Sequence, residues 1–174
     1  SGIASVGATQ MVRVSATKYY HNYTVPTGDG TGTISLSVGQ DLTGNEITTV
    51  PTSGATFSVD NTAPRMGISS STVNTGDTSN DATIALTFTS TEATANFIQT
   101  DISVSDGTLG DFAGSGTTYT ATFTPSGDGL YEIKVLENKF TDAAGNNNIA
   151  SDIFQWTYDG TGPTFTFTNP TTDD

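Results

Sequence analysis

TTYTATFTPSGDGLYEIKV, residues 117–135, decides how the rest of the chain is read. Tyr119, Ala121 and Phe123 alternate with Thr, and after SGDG at 126–129, Tyr131, Ile133 and Val135 alternate with Glu132 and Lys134. A period of two sends every second side chain to one face of a strand, so each run is half-buried β-structure. Glycine and aspartate between the runs supply a tight turn, which makes the pair antiparallel.

The same alternation recurs on either side. Strand A is expected at about 64–70, B at 83–89 with Ile84, Leu86 and Phe88 inward, and C at about 97–104 with Phe97, Ile98, Ile102 and Val104 available. D is a short piece near Leu109 and Phe112, E spans 117–124, F spans 130–136, and G spans 152–158 with Phe154, Trp156 and Tyr158 inward. Seven short strands with turn signals between them predict an all-β, immunoglobulin-like β-sandwich. The Cys…Trp…Cys signature of antibody domains is absent, and Trp156 falls on the last strand.

Composition excludes much chemistry. The 174 residues carry 18 Asp+Glu against 5 Lys+Arg, a net charge of −13, with one His and no Cys. Nucleic acid is excluded as a partner because phosphate binding needs clustered basic residues. Without Cys there are no disulfides, thiol nucleophiles or Cys-ligated metals. The lone His21 cannot build a multi-histidine zinc site, and nothing marks a catalytic pair among the acids, so no enzyme is expected. No apolar stretch of 18 residues is present to span a membrane. The opening SGIASVGATQ lacks a charged leader followed by an apolar core, as a mature or excised segment would.

The chain also repeats itself. YHNYTVPTGDG at 20–30 aligns with YTATFTPSGDG at 119–129, and 125 − 26 = 99 residues separate Pro26 from Pro125. Ile34 and Leu36 fall on Ile133 and Val135, and FSVDNTAP at 57–64 falls on WTYDGTGP at 156–163, at the same offset. DLTGN at 41–45 matches DAAGN at 142–146 at 101. A fixed period of this kind signals tandem units. In that frame 1–63 is an incomplete unit with strands C to G, lacking A and B; 64–162 is a complete unit; and 163–174 is the first strand of a further one. The missing strands belong either to a longer tandem array or to a neighbouring chain that donates a strand in a polymer.

GTLGDFAGSGTTYTATFTPSGDG at 107–129, followed by FTDAAGNNNIASDIFQWTYDGTGPT at 140–164, resembles the bacterial Ig-like repeats of large surface proteins and adhesins. The most specific elements are DAAGN before FQWTYD and the junction DNTAP or DGTGP. The resemblance implies an extracellular, cell-surface location, neighbouring Ig-like repeats as partners, and a stalk or spacer role. In some related arrays Ca²⁺ stiffens the junctions. The first copy departs from the pattern: Tyr19, His21, Tyr23 and Val25 run one residue out of phase with Tyr119, Ala121 and Phe123, so a bulge or altered core is expected there.

Ca²⁺ is the ligand this composition suits, because it takes six to eight hard oxygen ligands and needs neither His nor Cys. Strand reversal puts the B–C turn (Ser90 to Asn96) and the F–G turn (142–146) at one pole, and the E–F turn beside the exit residue at the other. The candidate junction ligands are therefore Asp29, Asp60, Asp142 and Glu92, with Asp128 and Asp159 at the next junction. The alternative is that these acids simply cap turns. Asn22-Tyr23-Thr24 is a glycosylation sequon. Tyr19, Tyr20, His21 and Tyr23 offer a platform for a surface glycan, or else are half core and half cross-strand ladder.

Overall fold

The structure, a computed structural model, describes residues 7, 9–25, 27–36, 39–40, 43–46 and 53–168. Pro26, Asp41 and Leu42, used in aligning the two copies, lie outside these, as do the opening six residues and 169–174 of the expected third-unit strand. The chain divides into two compact units, Ser1–Ala63 with Ala144–Asn146, and Pro64–Ala143 with Asn147–Asp174. Among the described residues no helix is long and apolar enough to cross a membrane.

In the first unit β1 (Val12–Arg13) pairs with β2 (Tyr19–Tyr20), and β3 (Gly30–Thr33) pairs with β4 (Thr56–Val59), both antiparallel. The β1–β2 turn closes through the amides of Val14 and Ser15 on the Lys18 carbonyl. In β3–β4, Gly32 lies opposite Phe57, whose ring fills the space a Cβ on residue 32 would need.

The second unit contains β5 (Met66–Ser70), β6 (Thr78–Ser79), β7 (Ile84–Thr94), β8 (Ile102–Val104), β9 (Thr108–Thr124), β10 (Gly129–Val135) and β11 (Phe154–Tyr158). One sheet has the order β5-β7-β9 and the other β6-β11-β10-β8. All pairings are antiparallel except the short β6 with β11. The inward residues expected on B, E and F are all buried, as are Phe154 and Trp156 on G, while Tyr158 is half-buried against the core. Side chains from both sheets meet in one core, which makes this unit an Ig-like sandwich.

Two aromatic groups organise that core. Phe97 packs edge-on against Tyr119, Phe140 and Phe112 at centroid separations of 5.1, 5.2 and 5.7 Å. Trp156 meets Phe123 at 5.2 Å and 89° and stacks on Tyr131 at 5.6 Å. Such pairs contribute about 0.5–1.5 kcal/mol each beyond the area they bury.

Several elements differ from the sequence expectation. D and E are the two arms of one element: a Cβ on Gly107 would strike the Thr124 carbonyl oxygen, and one on Gly114 would strike the Thr118 backbone, so β9 doubles back between them. Strand C begins only at Ile102, because Gln99–Asp101 form a 3-10 turn whose Asp101 carboxylate accepts the Ile98 amide at 2.9 Å. That side chain-to-backbone bond competes with strand pairing. Ile98, expected to be available to the core, is 56% exposed, while Phe97 is buried. Strand B continues to Thr94 past a register shift between Thr89 and Thr94, where Ser90 and Thr94 are buried. Residues 163–168, expected as the opening of a further unit, are in no strand, and Phe165 and Phe167 are exposed.

Candidate functional site

The turn between β9 and β10 is held from beneath. Tyr131, the first inward residue of β10, is buried, and its hydroxyl accepts the amides of Ser126 and Gly127 at 3.0 Å each while donating to the Gly127 carbonyl at 2.6 Å. From the side, Asp106 accepts the Ser126 hydroxyl at 2.7 Å and the Gly107 amide at 2.8 Å. These two bonds, the hydroxyl first, hold the Asp106 carboxyl below the usual carboxylate range.

At the tip of this turn Asp128 faces the chain as it leaves β11. One carboxylate oxygen accepts the Thr161 hydroxyl and the other the Gly160 amide at 2.7 Å, and both lower its pKa. Asp159 closes the loop locally by accepting the Thr161 amide at 3.0 Å.

The first unit carries the same bonds 99 positions earlier. Asp29 accepts the Asn61 amide at 2.6 Å and the Thr62 hydroxyl, which lower its pKa in that order, and Asp60 accepts the Thr62 amide at 3.1 Å. Asn61, where the second unit has Gly160, adds a bond from its side-chain amide to the Gly28 carbonyl at 2.8 Å. The hairpins agree as well: Gly30, Thr31, Gly32 and Thr33 face Val59, Ser58, Phe57 and Thr56, and Gly129, Leu130, Tyr131 and Glu132 face Tyr158, Thr157, Trp156 and Gln155.

At the opposite pole of the second unit, Thr94 bridges to Asp142, and Asn96 exchanges hydrogen bonds with Thr141 at 3.0 and 3.2 Å. Asp142 is 7% exposed and Glu92 half-buried, with carboxylate oxygens within 4.8 Å of each other. A shallow hollow of about 340 Å³ opens there, lined by Thr94, Asn96, Thr141 and Asp142 among others. The donors are hard oxygens throughout, the kind Ca²⁺ takes.

The remaining candidates are dispersed. Asn22 is exposed. Tyr19 and Tyr20 are exposed on β2, where successive side chains point to opposite faces, so they do not make one flat platform. His21 Nε2 lies 3.2 Å from the Thr9 hydroxyl, and Tyr23 turns to Phe57 at 6.4 Å. Sequence reasoning missed Asp106, the Tyr131 hydroxyl and the two clamping threonines, although D-[N/G]-T after each last strand was visible.

Residues 60–158 match the family model of the bacterial Ig-like domain. No curated protein and no solved structure matches the chain.

Proposed function

The chain belongs to the bacterial Ig-like domain family, and on that premise we propose that it is a non-catalytic spacer in the stalk of an extracellular surface adhesin or filament. The observation that carries this reading is the agreement of two hairpins in register, each ending in the same Asp-to-exit bonds 99 residues apart. One structural unit repeated along a chain, leaving each copy in the same manner, builds length. The family is not a catalytic one, and the core of the second unit is filled with apolar side chains.

Ca²⁺ at the junctions belongs to the same proposal. Glu92 and Asp142 are its principal ligands, with Asp60, four residues before Pro64, and Asp29 as further donors. Asp128 and Asp159 are the corresponding donors for the next junction, and Asp128, like Asp29, already accepts a bond on each carboxylate oxygen. Solution scattering and thermal unfolding of the full chain, with Ca²⁺ and with chelator, test this part. The proposal expects a longer, stiffer particle and a higher melting temperature with the ion; identical values contradict it.

A second reading has its own observation. Phe165 and Phe167 are 83% and 97% exposed, and at the 99-residue offset they correspond to Met66, which is buried, and Ile68, which packs on the core. A segment with the pattern of a first strand and no partner strand fits donation to a neighbouring chain. Concentration-dependent polymers on size exclusion, abolished by Phe165→Ser with Phe167→Ser, support it; a monomer at all concentrations contradicts it.

A further inference from the structure

We propose that the aspartate at the tip of the β9–β10 turn is the positioning residue that sets the direction in which the chain leaves the unit. This rests on the spacer reading and names the device by which a unit controls its outgoing linker. The path is continuous. Trp156 and Tyr131 stack in the core, the Tyr131 hydroxyl grips Ser126 and Gly127, Asp106 ties Ser126 to the start of β9, and Asp128 then grips Gly160 and Thr161. Rigidity of the buried core thus passes through the turn to an exposed segment that has no strand pairing of its own beyond Tyr158. Charge-assisted bonds to a carboxylate are stronger than neutral ones, which suits a clamp on exposed backbone.

The first unit has the clamp without its foundation. Asp29 holds Asn61 and Thr62, but the position corresponding to Tyr131 is Gly32, which offers no hydroxyl to the turn. Asn61 instead ties its side chain to Gly28 within the turn itself. The two exits are therefore held by the same carboxylate chemistry on differently supported turns.

The chain has no cysteine, so Ala85→Cys on β7 with Thr164→Cys on the outgoing segment gives two specific spin-label sites in the full chain. The clamp predicts a narrow distance distribution that broadens in Asp128→Ala and in Thr161→Val, with loss of amide-exchange protection at Gly160 in Asp128→Ala. Tyr131→Phe broadens it with Asp128 intact. Thr161→Val deletes one hydroxyl on an exposed residue and carries the test if Asp128→Ala fails to fold. An unchanged distribution in a folded Asp128→Ala, or in Thr161→Val, overturns the clamp. It leaves the spacer reading standing, because that reading fails only if the units lack mechanical resistance.

Discussion

Tyr131 does two jobs with one side chain: its ring stacks in the core on Trp156, and its hydroxyl makes three hydrogen bonds to the backbone of the turn. Alternation in the sequence showed the ring pointing inward, but the reach of the hydroxyl depends on how the 126–129 turn folds over it, which periodicity does not carry. Tyr131→Phe keeps the ring and releases the turn. Urea unfolding of this variant is expected to show a loss of about 1–3 kcal/mol, the cost of leaving polar groups unpaired; no change would mean that water replaces the hydroxyl fully. Acid sensitivity also belongs to single residues. Asp106 and Asp128 have lowered pKa values in the folded protein, from hydrogen bonds to Ser126 and Gly107 and to Thr161 and Gly160. A depressed folded value stabilises the fold above the ordinary aspartate pKa of about 3.9 and ceases to do so as pH falls through the lowered value. The stability advantage of the native chain over Asp106→Asn with Asp128→Asn should therefore be full at neutral pH and shrink below about pH 4. A gap independent of pH would contradict these assignments.

At the scale of elements, apolar alternation located every long strand of the second unit, because burial of one face dictates a period of two. What it could not locate were features set by polar side chains. The 3-10 turn before β8 depends on Asp101, the two-residue β6 has no apolar pattern, and β9 hides a hairpin at Gly114 and Gly116. Asn148 is the clearest case. In sequence it is the last Asn of the run at 146–148, yet it is 2% exposed. Its oxygen accepts the amides of Lys139 and Phe140, and its nitrogen donates to the carbonyls of Leu136 and Ile149, so it holds the β10–β11 connection. Asn148→Leu fits the volume but strands these backbone groups, and a loss of about 3 kcal/mol or more is expected from denaturant unfolding. A loss near zero would mean that the connection is held by Phe140 packing alone. The carboxylates followed the same division. Strand reversal was enough to anticipate that Glu92 and Asp142 would share a pole, whereas the bonds of Asp29 and Asp128 to a downstream threonine required the turn and exit conformations.

Across the whole molecule, every buried hydrophobic residue among those described lies between Met66 and Trp156. The described strands of the first unit form two isolated pairs, and a two-stranded hairpin alone is marginal in water. The second unit therefore supplies the cooperative resistance that a spacer needs, with its opposed sheets locked by Phe97 and Trp156. The most direct test of that role is to pull the full chain between its ends in a single-molecule force experiment. The spacer account predicts one discrete unfolding event that releases the 99 residues of the matched family domain, 60–158, a contour length of roughly 330 Å before subtracting the folded span. Smooth extension with no discrete event would contradict it.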